Sequence, residues 1–276
     1  MLKKSLLIIS IMTSVTGFAE ESSYWLNDSA VCEINESYRQ IKYNKEGHLN
    51  TTYIVARIAG HEIDDARQLA CYSQMPDKQV MRLSAPAVAV WGIFSWEYRH
   101  LIMAILHSLH GGKGEEVQAR RDKLAMIIKE GVSDKEDPWK LGFMIHAMGD
   151  SYAHVCGSGE NVKAYGELVG HAFAYREKPD TISHEDNITH YTLYVKELFN
   201  ALRLRNDKED DRLKEFIDTV EKAAKSGSEE EVRKAIVNYA IDKNNTTSEI
   251  SEESAFSFSS EDEKEFLRSL RSQLED

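Results

Sequence analysis

Apolar residues recur at three- and four-residue intervals along this chain, and alternation of period two is nearly absent, so the pattern predicts helices throughout. Residues 48–59 place Ile54, Val55, Ile58 and Ala59 on one face before Gly60 interrupts. A second helix is expected from Ile63 to Ser73, with Ala66, Leu69 and Ala70 inward and Pro76 as its end. Residues 88–109 form a long apolar stretch whose Trp91, Phe94 and Trp96 read as core, closed by Gly111-Gly112. Residues 114–130 are amphipathic up to Gly131. Asp137-Pro138 then opens a helix with an N-cap and a proline at the first helical position. From Trp139 to about Val155 that helix is strongly apolar, which marks a central element, and Gly157-Ser158-Gly159 ends it. Further helices are expected over 160–174, 186–204, 209–225 and 228–241. The expected fold class is all-α, a single multi-helix bundle domain over residues 20–241.

The two ends read differently. Over residues 242–276 acids outnumber bases by 10 to 4 and few apolar residues precede Phe256, so this stretch is expected to be an acidic, flexible tail. It leaves room for a short helix at 261–274 using Phe266, Leu267, Leu270 and Leu274. At the start, Lys3-Lys4, an uncharged apolar run from Leu6 to Phe18 and small residues around Ala19 give the three-part layout of a secretory signal peptide, residues 1–19. That run is shorter than the roughly 20 residues a membrane span needs, and no transmembrane segment is expected elsewhere. The protein is therefore expected to be exported, to the periplasm or beyond.

Charge narrows the partners. The net charge is −12, and removing Lys3 and Lys4 with the signal takes it to −14. A stable nucleic-acid complex, which rests on cationic side chains displacing counterions, is not expected. A phosphoester gripped through metal ions is still allowed, because the ions bring their own charge. Export makes a disulfide accessible. Of the three cysteines, Cys32 and Cys71 are the expected pair, and Cys156 is expected as a buried spectator thiol.

The informative motif is His146-x3-Asp150-x3-His154 on the central helix. At 100° per residue these side chains share one stripe, with neighbours about 6 Å apart along the axis. Polar groups on so apolar a helix must be satisfied, either by an Asp–His hydrogen-bonded network or by metal ions. The two oxygens of Asp150 could bridge two ions, one shared with each histidine. Of the other histidines, His61 and His100 read as surface groups, and His184 and His190 as candidates for a cleft rim. There is no phosphate-cradling glycine loop and no G-x-S-x-G elbow.

The order of several short motifs resembles the zinc-dependent phospholipase C and single-strand nuclease superfamily. His146-x3-Asp150-x3-His154 is similar to its metal-binding core, and the segment from His48 to Arg57 to its early ligand helix. The segment Ala66–Asp77 is similar to its helix ending in a metal-binding aspartate. His107 and His110 both fall where the next histidine is expected, with His107 preferred, and His171 matches the last one. The resemblance implies an all-α bundle of the phospholipase C and nuclease type, holding two or three Zn2+ ions. The implied metal ligands are His48, Asp77, His107, His110, His146, Asp150, His154 and His171, with Asp77 and Asp150 as catalytic residues. The implied activity is hydrolysis of a phosphodiester by a metal-activated water, on a phospholipid head group or a nucleotide. Position 175, four residues after His171, is tyrosine where the family carries an acid. That departure keeps open a metal-stabilised helical binding protein of the same fold without turnover.

Overall fold

The computed structural model describes residues 46–78, 82–91, 95–157, 159–167, 181–204, 211–244 and 258–275. The expected signal peptide, Cys32, Phe94, His171 and the whole of the preceding N-terminal segment lie outside the described residues. Among the described residues the chain is mostly helical. A π-helical segment, Glu46–Asn50, runs directly into α1 (Thr51–Ile58), followed by α2 (Ile63–Lys78), α3 (Ala85–Trp91) and α4 (Trp96–His100). A second π-helical segment, Leu101–Leu106, continues α4, and α5 (Gly114–Asp134) and α6 (Pro138–Ala153) follow. Two short strands, β1 (Val155–Cys156) and β2 (Lys163–Ala164), pair antiparallel with Val155 opposite Ala164. The chain then forms α7 (Glu185–Leu202), α8 (Asp211–Ala224), α9 (Glu229–Asn244) and α10 (Ser260–Glu275).

Helix α6 is the hub. Every residue from Leu141 to Ala153 is buried, and α2, α5, α7 and both π-helical segments pack against it. Its start is as expected: Asp137 is the N-cap and Pro138 stands at the first helical position, where its missing N–H costs nothing. The approach of α2 depends on Gly142. A Cβ there would lie 2.2 Å from Tyr72 Cβ and 2.8 Å from the Tyr72 carbonyl carbon, so any other residue would push the two helices apart. That close crossing brings the Ser73 carbonyl against α6.

Several expected boundaries are corrected. Pro76 does not end α2, which runs on to Lys78: a proline in a last turn removes one main-chain donor but leaves the following residues free to stay helical. Asp77 consequently sits on the helix itself. Gly131 is passed through by α5, whose end is Lys135 in the left-handed conformation. The apolar stretch 88–109 is not one helix but α3, α4 and a π-helical segment. Its Trp96 is 66% exposed rather than core, because Ser95 starts a new helix and turns Trp96 outward. The π-helical segment stops at Leu106, before Gly111-Gly112. Residues 160–167 are not α-helix but a 3-10 turn and β2, which zip against β1 and against Gly112.

The expected acidic tail is corrected in part. Helix α10 buries Leu267, Leu270 and Leu274 against the second π-helical segment and α5. Its Glu263 is fully buried, with Arg82 Nη2 at 2.6 Å, and Phe258 just before it stacks on Trp139 at 4.5 Å between ring centroids. Three leucines spaced along one face bury enough apolar surface to dock a helix despite its charged outer face. Cys71 is disulfide-bonded, and Cys156 is a half-buried free thiol. No helix among the described residues is long and apolar enough to cross a membrane.

Candidate metal centre

Three elements converge on one face of α6. His48 comes from the first π-helical segment, Asp77 from the last turn of α2, His107 from the end of the second π-helical segment, and His146 and Asp150 from α6 itself. Asp150 is the common partner. Its Oδ1 lies 3.1 Å from His48 Nε2, and its Oδ2 lies 2.9 Å from His107 Nδ1 and 3.2 Å from His146 Nε2. Asp77 Oδ2 stands 3.8 Å from His48 Nε2. Two overlapping triads result, His48–Asp77–His146 and His107–His146–Asp150, with the candidate ligand atoms of each triad all within 4.8 Å of one another. His146 belongs to both.

Main-chain carbonyls fix how these rings face the cluster. His146 Nδ1 lies 2.8 Å from the Ser73 carbonyl oxygen, and His107 Nε2 lies 2.8 Å from that of Leu83. A carbonyl oxygen only accepts, so each of these nitrogens carries the proton. In the neutral rings the remaining nitrogens, His146 Nε2 and His107 Nδ1, then present lone pairs. They lie 3.1 Å apart, and both face Asp150 Oδ2. Three acceptors gathered this closely, with no hydrogen between them, repel one another unless a cation or an added proton sits among them. Histidine ligands held by a carbonyl on the far nitrogen are the usual outer-shell arrangement of a metal site.

The ring packing agrees. His48 stacks on His146 at 4.3 Å, and His107 meets His146 edge-on at 4.8 Å. Gly149 makes room for this, because a Cβ there would come within 3.0 Å of His48 Cε1. Electrostatics show the same demand for positive charge. Burial resists ionisation of Asp150, yet the neighbouring His154, His146 and His107 outweigh it and hold the carboxyl well below its usual range. Burial likewise disfavours a charged His146, but the Asp150 carboxylate, supported by Asp77, raises it above an ordinary histidine.

The other expected residues divide. His154 caps the C-terminus of α6, with Nδ1 2.9 Å from the His107 carbonyl oxygen and 3.5 Å from Asp150 Oδ2. It leaves the helical stripe at that point and supports His107 rather than joining either triad. His110 stands apart: its Nδ1 accepts from the Gly112 N–H, and burial depresses it to about 4. Of the two alternatives, His107 is the one in the cluster. His61 is a correction, being buried with Nε2 2.8 Å from the Leu202 carbonyl oxygen rather than on the surface. His100 is partly exposed and bridges Glu167 and Glu275. His190 is buried against the Gly157 carbonyl, and His184 is the N-cap of α7.

Sequence reasoning missed the supporting groups. Ser73 and Leu83 act through main-chain carbonyls, which no residue type signals. Ser108 was equally silent: it is buried at φ 51°, and its Oγ donates to the Ala147 carbonyl oxygen at 2.7 Å. A left-handed non-glycine residue costs roughly 1 kcal/mol or more, so something around it holds it there. A separate cleft of about 880 Å3 runs between α2, α5, α6 and α10, past Tyr72, Trp139 and Phe266, and no residue of the two triads lines it.

Compared with models of known protein families, with curated proteins and with solved structures, the chain matches none. Among the described residues it is a helical protein with largely buried His/Asp groups that could hold a metal ion.

Proposed function

We propose that this chain is an exported, zinc-dependent phosphodiester hydrolase whose centre is held by His48, Asp77, His107, His146 and Asp150. The observation that carries the reading is the convergence of His107 Nδ1, His146 Nε2 and Asp150 Oδ2 within 3.2 Å of one another, with both outer ring nitrogens committed to carbonyls. Imidazole nitrogen with carboxylate oxygen is a donor set that suits zinc. Zinc held there would make a bound water acidic enough to supply hydroxide at neutral pH and would offset charge on the phosphoryl oxygens.

The chain's own residues have separable tasks under this reading. Asp150 divides its two oxygens between His48 on one side and His107 with His146 on the other, as a bridging carboxylate would. Asp77 is the least buried member, with its side chain 8% exposed against 2% for Asp150. Under this reading Asp77 would orient the attacking water. No serine or cysteine nucleophile is required. The acidic chain favours a small or lipid phosphoester over a long polyanion.

One observation favours a second reading, a metal-stabilised helical binding protein without turnover. The side chains of His48, His107, His146 and Asp150 are each 2% exposed or less, as closed as a structural site. Metal content and turnover measured on one sample separate the two. Two or more zinc equivalents, with chelator-sensitive hydrolysis of bis-(p-nitrophenyl) phosphate or phosphatidylcholine, are expected of the hydrolase. Bound zinc with neither substrate cleaved means the second reading.

A further inference from the structure

We infer that Ser108 is a positioning residue of the metal centre: its hydroxyl bond to the Ala147 carbonyl holds His107 at the angle that aims Nδ1 into the cluster. The inference rests on the reading of the cluster as a metal centre and is independent of any hydrolysis. The second π-helical segment ends at Leu106 and is capped by His107, which has φ −99° and ψ 12°, and Ser108 follows with φ 51°. The N–H of His107 still bonds to the Ile102 carbonyl and that of Leu109 to Met103, so the chain reverses sharply while staying tied to the helix it leaves. A left-handed residue at a helix end is ordinarily glycine, which adopts that conformation freely. Serine there gives up that freedom and gains a hydroxyl.

The hydroxyl has a definite use. Ser108 Oγ donates to the Ala147 carbonyl at 2.7 Å, and Ala147 is the residue after His146. One residue earlier, the His107 carbonyl accepts from His154 Nδ1 at 2.9 Å. The His107–Ser108 pair is thus pinned to α6 at two points two turns apart, about one turn on either side of Asp150. With Nε2 of His107 held by Leu83, the ring is fixed at both its backbone and its outer edge. Ser108 is buried, and its left-handed backbone by itself does not call for an oxygen. A plain helix end would be served as well or better by glycine.

That contrast supplies the test. Full-length protein is stripped with chelator. Wild type, Ser108→Gly and Ser108→Ala are then compared by zinc competition against a chromophoric chelator, by the visible spectrum of the Co2+-substituted protein, and by metal-free Tm. Ser108→Gly relieves the backbone and removes the hydroxyl. Its metal-free Tm is expected to equal or exceed wild type, while zinc affinity falls about tenfold or more and the Co2+ bands shift. Ser108→Ala keeps the backbone strain, so the same loss of affinity should come with a lower Tm. A Ser108→Gly protein with wild-type zinc affinity and an unchanged Co2+ spectrum overturns the inference alone. Wild-type protein that takes up neither ion defeats the metal-centre reading, and this inference with it.

Discussion

Asp150 Oδ1 lies 3.1 Å from His48 Nε2, across 102 residues of chain, while the same carboxylate's Oδ2 faces His107 and His146. One side chain therefore ties three histidines from three separate segments. Asp150→Asn keeps its shape and removes its charge, so it should lower affinity at both metal positions by two orders of magnitude or more. Zinc titration of the folded variant checks this. An Asp150→Asn protein that retains wild-type metal content would contradict the bridging role.

His146 is shared by both triads, whereas His48 and Asp77 belong to one. His146→Ala is therefore expected to abolish both zinc equivalents, and Asp77→Asn to remove one. Metal analysis after gel filtration distinguishes the cases. Equal loss in the two variants would mean a single site rather than two overlapping ones.

The meeting of α2 with α6 rests on the absence of one methyl group. In Gly142→Ala the new Cβ meets both side chain and backbone of Tyr72, so neither neighbour can yield without moving α2. The variant should lose about 1–3 kcal/mol in urea denaturation. It should also bind zinc more weakly, because the Ser73 carbonyl would shift away from His146. Normal zinc affinity in Gly142→Ala would separate the helix crossing from the site.

The metal-free protein should have a stability maximum close to pH 6.5. His146 titrates above 6.5 in the folded state, so its contribution is complete below 6.5 and is lost as pH rises through its raised value. His110 and His190 are depressed by burial, so the folded protein must resist their protonation, and stability falls as pH drops below 6.5. Asp150 adds a loss only in strong acid, below its lowered value. Zinc should remove the alkaline decline, since it replaces the proton on His146. Tm measured from pH 4.5 to 8.5 with chelator and with zinc checks this. A chelated protein that grows more stable above pH 7 would contradict it.

Helix α10 belongs to the core. Leu270 is fully buried, and Leu270→Ala should cost about 2–5 kcal/mol, read as a lowered Tm. A change under about 0.5 kcal/mol, the size expected of a surface position, would mean that α10 does not hold the domain together.

The central helix and its motif were legible because their signals are local. Asp137-Pro138 marks a start, and an unbroken apolar run from Leu141 marks burial, so His146 and Asp150 stand out against their background. What the sequence hid was decided by backbone geometry at a distance. The sequence already favours His107 over His110, but the π-helical segment and the left-handed serine that place it in the cluster have no residue signature. The carbonyls of Ser73 and Leu83 act without their side chains. Pro76 and Gly131 were read as stops because both are breakers in isolation, yet tertiary packing carried α2 and α5 past them. The leucine face of a helix over 261–274 is legible in the sequence, but its docking is not, because the acidic composition averages over the helix while burial selects one side of it.

The proposed function stands or falls on metal binding by the cluster around Asp150. Isothermal titration of zinc into chelator-stripped, full-length protein tests it most directly. Saturable binding of two equivalents is expected, with proton release that grows as pH falls through the raised value of His146, and a Tm that climbs with zinc concentration. Zinc that neither binds stoichiometrically nor raises the Tm would contradict it and leave the cluster as a hydrogen-bonded Asp–His network.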